Sequence, residues 1–202
     1  MMKLTFGYGH GVQTVEVPER NVMAVLTANE VTHAQTGESA VRAALANPIG
    51  APHLREIAQP GQKIAIVASD ISRPVPSFEI LPAILDELTA AGCRDEDITV
   101  VFALGSHRHH TEEERQRLAG HSVYARVRCV DSDPDDCVRL GVTENGTPVD
   151  ITRTVAEADL RICTGNIEFH YFAGYSGGAK AIMPGVSTPA AIQANHRLMV
   201  RE

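Results

Sequence analysis

The order of apolar and polar residues changes character near residue 60. Residues 4–8, 14–17 and 21–26 are short, β-branched and partly alternating, broken by Gly9, Gly11 and Pro18, which predicts a small antiparallel start. Residues 39–46 read as a helix stopped by Asn47-Pro48, and residues 54–58 as a short helical piece before Pro60-Gly61. From there the rhythm is different. Residues 63–68 (KIAIVA) and 98–104 (ITVVFAL) are unbroken apolar runs of the kind a strand shows when both its faces are buried. Between them residues 78–91 form an amphipathic helical pattern closed by Gly92. Thr111 and Glu114 can each satisfy a free amide of a helix that runs to about Ala119. Residues 125–130 predict a third strand, 149–151 a fourth, 155–159 a helical turn and 160–164 (LRICT) a fifth strand. Pro189 after Thr188 starts a helix expected to continue to the last residue.

Strand, loop and helix recurring at roughly 30 to 40 residues predict an α/β fold with a doubly wound, mostly parallel, Rossmann-like sheet. That domain is expected over residues 61–202, with residues 1–60 a small β-rich N-terminal segment packed on it. Sheets of this kind bind ligands at the carboxyl ends of their strands. Three polar loops follow strands here: SDISRP from Ser69, GSHRHH from Gly105, and the stretch 168–185 (EFHYFAGYSGGAKAIMPG) after the last strand. All three are expected to converge on one pocket.

Composition narrows the partner. A formal charge of −7 with no basic run offers nothing to nucleic acid or to an anionic membrane, so a small molecule is the expected ligand. No apolar stretch reaches the ~18 to 20 residues of a membrane span, and residues 1–15 lack a signal peptide's basic start and apolar run. A cytoplasmic location is expected. Cys93, Cys129, Cys137 and Cys163 form no C-x-x-C pair and read as buried thiols, which leaves histidine as the side chain for any metal.

The stretch 168–185 holds His170, the aromatics Tyr171, Phe172 and Tyr175 among others, and one of only three lysines, Lys180. The glycines before it let a backbone approach a bulky ligand. Gly174-Tyr-Ser-Gly-Gly178 also satisfies G-x-S-x-G with Ser176 as nucleophile, but Pro184-Gly185 leaves little room for the helix that this turn must feed. A P-loop is missed at Ala179 and Ala181. Asp70 and Arg73 can hold sugar hydroxyls and a carboxylate or phosphate, or can simply cap the loop and pair with each other. His107, nearest its strand end, is a candidate general base. His109 and His110 read as solvent-facing or helix-capping, and His196 as a mid-helix histidine that is a ligand only if it has a partner.

Taken together, SDISRP, GSHR, FHYFAGYSGGAKAIMPG and Asn195-His196 resemble the nickel-dependent lactate racemase family, over residues 69–196. The resemblance implies a racemase or epimerase of 2-hydroxy acids. It implies a nickel-pincer nucleotide, a pyridinium mononucleotide with two sulfur-bearing arms around the metal, covalently attached at Lys180. Gly177, Gly178, Tyr175 and Ser176 would make the cofactor's bed, and His196 would be the metal's protein ligand. His107 and His170 would be paired bases, one per face of a planar keto acid. Arg73 would orient the substrate carboxylate and Asp70 would help position cofactor or substrate. Ser72 stands where the family more often has threonine. Family members are about twice as long, with a C-terminal domain that closes the site, so this chain is expected to bind cofactor weakly or not at all, and to turn over poorly by itself. The implied partners are a 2-hydroxy acid, that C-terminal domain and the proteins that make the cofactor. A non-catalytic nucleotide- or partner-binding domain of the same fold is the second reading, and a serine hydrolase the third.

Overall fold

The computed structural model describes residues 1–200, which divide into two compact units after Ala34. In the first, β1 (Met2–Tyr8) and β2 (Gly11–Val17) form an antiparallel hairpin, in register from Met2 opposite Val17 to Tyr8 opposite Gly11. Gly9 turns the chain at φ 57°, in the region that favours glycine. The strand expected over residues 21–26 does not form. A 3-10 turn (Glu19–Asn21) follows Pro18, and beyond it Met23 and Leu26 stand exposed with no neighbouring strand to pair with among the described residues.

The second unit opens with α1 (Gly37–Ala46) and α2 (Leu54–Ile57), which lead into β3 (Ile64–Ser69). There follow α3 (Ser77–Ala90), β4 (Ile98–Ala103), α4 (Glu112–Ala119), α5 (His121–Tyr124) and β5 (Arg128–Asp131). Both early helices are tied to α3, through Arg42 on Asp86 at 2.7 Å and Arg55 on Glu87. β5 begins three residues later than the apolar pattern implied, because Val123 and Val127 are buried from a helical turn rather than from a strand.

β6 (Cys137–Val142) and β7 (Pro148–Thr152) pair antiparallel as a separate hairpin, and α6 (Arg153–Ala156) leads to β8 (Leu160–Cys163). The strand expected at 149–151 therefore exists but lies outside the main sheet, paired with a strand that the sequence did not announce. Four strands make the parallel sheet, in the order β5-β4-β3-β8. Ile64, Ile66 and Ala68 point into one core with Leu81, Leu85 and Phe102, whereas Ala65 and Val67 point into another with Val101, Val155 and Val186. Burial on both faces is why these strands read as continuous apolar runs. No helix among the described residues is long and apolar enough to cross a membrane.

After β8 come a two-residue ribbon, β9 (Phe169–His170) with β10 (Gly174–Tyr175), a 3-10 turn (Gly178–Ala181) and α7 (Pro189–His196). Thr188 caps α7 by accepting from the Ala191 amide at 3.2 Å. The α-helix ends at His196 and passes into a 3-10 turn (Arg197–Val200); Arg201 and Glu202, where a helix was expected to continue, lie outside the described residues. The strap before α7 is pinned to the sheet. Gly185 O accepts from the Gly105 amide at 2.8 Å, and Val186 O from the Thr152 amide at 2.9 Å. A Cβ on Gly185 would run into the Ala181 carbonyl and come within 2.8 Å of the Ala103 side chain, so only glycine fits. The turn bearing Lys180 is held at the carboxyl end of the sheet by that fit.

Candidate functional site

β3 has β4 and then β5 on one side and β8 on the other, so the chain's winding reverses between β3 and β8. The carboxyl ends of two such strands leave a crevice. A cavity of about 260 Å³ occupies it. Ser69, Asp70 and Arg73 line it from the loop after β3, and Gly105, Ser106 and His107 from the loop after β4. The segment after β8 adds Asn166, His170, Ser176, Gly177 and Lys180, and α7 adds Asn195 and His196. The three polar loops do meet at one place.

Asp70 is buried, and its carboxylate receives two donors: Ser72 Oγ at 3.0 Å and His107 Nδ1 at 2.7 Å. A carboxylate only accepts, so the ring proton of His107 sits on Nδ1 and the Nε2 lone pair is free. Asp70 thus pairs with His107, not with Arg73. The Arg73 guanidinium makes no hydrogen bond or ion pair among the described residues and stands in the cavity wall as an unmatched cation.

His170 is wired the opposite way. Its Nδ1 accepts from the amides of Phe172 (3.2 Å) and Ala173 (3.1 Å), which puts the ring proton on Nε2. Burial pushes its pKa below the ordinary imidazole value, the charges of Lys180, Arg73 and His196 push it further, and Glu168 opposes them. The neutral ring is favoured. The ammonium of Lys180 is likewise pushed below its ordinary value, first by burial and then by Arg73. Its neutral amine, the nucleophilic form, is favoured accordingly. His196 is exposed at the end of α7 and packs its ring on Phe172, centroids 5.4 Å apart.

The glycine-rich turn is less open to ligand than its sequence implied. Ser176 Oγ donates to Asn166 O and accepts from the Glu168 amide, both at 2.9 Å, so this hydroxyl brackets the loop and is hydrogen-bonded to no histidine among the described residues. A Cβ on Gly177 would come within 2.9 Å of Asn166 O, so the glycine makes room for the chain itself. Gly178 and Tyr175 do not reach the cavity wall; Tyr175 is exposed and packs on Phe169 at 5.1 Å. Among the described residues no three His, Cys, Asp or Glu side chains gather to hold a metal ion by themselves. The cavity wall holds three histidines, His107, His170 and His196.

Residues 8–202 match the family model for the lactate racemase N-terminal domain. The chain belongs to the lactate racemase family. It is 34% identical over 201 residues to a lactate racemase of Lactiplantibacillus plantarum and 31% identical to one of Thermoanaerobacterium thermosaccharolyticum. Each comparison takes in 97% of this chain and 47% of the relative, so the chain spans about half the length of the curated relatives it matches. The structure of the lactate racemase apoprotein from Thermoanaerobacterium thermosaccharolyticum superposes with a TM-score of 0.81 at 32% identity, over 96% of this chain and 46% of that one. A protein from Thermotoga maritima shares the fold at TM-score 0.66 and 20% identity, over 81% of this chain and 41% of its own.

In this lactate racemase-family domain one histidine is placed against expectation. His110, read as solvent-facing or capping, is buried: its Nδ1 donates to Asp131 at 2.6 Å and its Nε2 accepts from the Ile71 amide at 3.1 Å. Two polar edges satisfied inside the protein outweigh the preference of a histidine for water. His109 is exposed as expected. The cysteines are all free, but only Cys93 is fully buried, and Cys163 is exposed because β8 is an edge strand. Sequence reasoning misses Asn166 and Asn195 as lining residues. Gly165-Asn166 directly follows a predicted strand, and that position is the available signal.

Proposed function

We propose that this domain carries the cofactor and the two acid–base histidines of an enzyme that racemises or epimerises a lactate-like 2-hydroxy acid. The observation that carries the reading is the pair of histidines in one cavity with opposite ring tautomers, alongside an unpaired arginine and a lysine of depressed pKa.

The residues fit a nickel-pincer nucleotide. Lys180 supplies a deprotonatable amine for the covalent tether, and His196 supplies an imidazole of the type nickel accepts. When bound, that group would supply reversible hydride acceptance from the substrate carbon. The cavity of about 260 Å³ falls just below the ~300 to 1,000 Å³ of ligand pockets, so a mononucleotide would stand partly out of it. Cover from the other half of a full-length protein is in keeping with that size.

Arg73 grips the substrate carboxylate in its two-pronged manner, with no side-chain partner among the described residues to compete. His107 takes the hydroxyl proton at Nε2, and the imidazolium so formed is stabilised by Asp70 on the other nitrogen. His170 presents Nε2–H to the substrate oxygen. To serve as base for the opposite enantiomer its proton must move to Nδ1, which costs the two amide contacts from Phe172 and Ala173. The two bases are therefore unequal at rest.

Intact mass tests the reading. Full-length protein made in cells that synthesise the pincer nucleotide should carry an adduct of several hundred daltons that is absent from Lys180→Ala. Unmodified protein from such cells would count against it.

A further inference from the structure

We propose that His110 is a positioning residue that sets the geometry of the Asp70–His107 pair through the backbone of Ile71. The idea rests on the reading of His107 as a base. His110 is three residues beyond His107 on the loop after β4, but it points inward, with its side chain 1% exposed. Phe102 packs edge-on against the ring at 5.7 Å. Asp131, at the end of β5, takes the ring's Nδ1–H at 2.6 Å and the His110 amide at 2.8 Å. Arg115 completes the surroundings, donating to His110 O at 3.0 Å and lying 3.6 Å from Asp131; exposed His109 is 3.4 Å from the same carboxylate.

The remaining nitrogen has one use. With its proton committed to Asp131, Nε2 is an acceptor, and the amide it receives is that of Ile71. Ile71 lies between Asp70, which holds His107, and Ser72, whose hydroxyl bonds Asp70 and lies 3.3 Å from His107 Nδ1. Two histidines of one loop therefore clamp consecutive residues of the neighbouring loop, His107 on the Asp70 side chain and His110 on the Ile71 backbone. The clamp is anchored at a third strand end by Asp131. A space-filling residue at 110 would need no acceptor on its far edge. This one aligns the carboxylate that fixes the tautomer of the base.

Amide side chains separate the two edges of the ring. In His110→Asn the side-chain NH₂ falls near Nδ1 and keeps a donor for Asp131 but leaves Ile71 without an acceptor. In His110→Gln the side-chain oxygen reaches the Nε2 position and keeps that acceptor. Two-bond ¹H–¹⁵N imidazole spectra of this chain read the tautomer of His107, and amide exchange reads Ile71. His110→Asn should abolish the Nδ1–H preference of His107 and speed Ile71 exchange on the order of tenfold, the factor for one ordinary hydrogen bond. His110→Gln should restore both. The proposal is overturned if His107 keeps its Nδ1–H in folded His110→Asn. It is equally overturned, without any variant, if the Ile71 amide of the wild type exchanges as freely as an open loop. Neither readout involves turnover, so loss or survival of activity in full-length His107→Asn judges the base separately.

Discussion

Asp70 Oδ2 and His107 Nδ1 stand 2.7 Å apart, a carboxylate side chain 5% exposed holding an imidazole 43% exposed. The buried partner fixes the ring and the exposed one faces the cavity. Asp70→Asn keeps the shape but offers a side chain that can present NH₂ to the ring and so stabilise the wrong tautomer. In the full-length holoenzyme this variant should lower kcat by about 10²- to 10⁴-fold, the usual share of one acid–base group, with KM little changed. Steady-state kinetics on a 2-hydroxy acid decide it. A rise in KM at constant kcat would assign Asp70 to substrate binding instead.

Lys180 can be compared with Lys3 and Lys63 in the same tube. Burial and the charge of Arg73 both favour its neutral amine, so it should acylate at lower pH than an ordinary lysine. Removing one of those causes should reverse part of the effect: in Arg73→Met the half-reaction pH of Lys180 moves upward, with Lys3 and Lys63 as internal controls for the labelling. Peptide mass spectrometry after a brief pulse of acetic anhydride measures all three. An unchanged Lys180 profile in Arg73→Met would mean that the two cations do not face each other.

The parallel sheet and the meeting of its loops were legible because they depend on local pattern. Ile64, Ile66 and Ala68 alternate with Ala65 and Val67 between two cores, which leaves an unmistakable apolar run. The capping box at Thr111 and Glu114 is equally local and is present. What stayed hidden depends on distant partners. Nothing near His110 in sequence announces Asp131 or the Ile71 amide, and nothing near residues 149–151 announces a partner strand with Arg139 and Gly141 in it. Ser176 shows the same limit from the other side: a motif-perfect serine is occupied by Asn166 and Glu168 of its own loop.

The start of α4 should make stability depend on acid pH. Arg108, and next the Thr111 amide, hold the Glu114 carboxyl at about 2 against an ordinary 4.5. A depressed carboxyl pKa stabilises the fold fully above the ordinary value, and that contribution is lost as pH falls from about 4.5 toward 2. Glu114→Gln should therefore lower Tm at neutral pH and show a shallower fall in Tm across that acid window. Thr111→Ala removes the other half of the box and should cost about 1 kcal/mol by denaturant titration. Parallel Tm curves for wild type and Glu114→Gln across the window would contradict the pairing.

Gly185 and Gly178 offer a contrast between space and backbone conformation. Gly178 has φ 54° and nothing within 4 Å of the place a Cβ would take, so Gly178→Ala meets only the left-handed penalty of about 1 to 2 kcal/mol. Gly185 has no positive φ, but an added methyl would strike the Ala181 carbonyl and the Ala103 side chain, neither of which is a flexible tip that can swing away. Overpacking of this kind costs about 1 to 3 kcal/mol. The displaced atoms also belong to the turn that carries Lys180, since the Gly185 amide donates to Lys180 O at 3.1 Å. Gly185→Ala should thus lower unfolding free energy and move the acylation profile of Lys180 together, whereas Gly178→Ala should change stability with a smaller shift in that profile. Denaturant titration and the same lysine labelling read both. A Lys180 profile that survives Gly185→Ala intact would show that the strap stabilises the fold without placing the lysine.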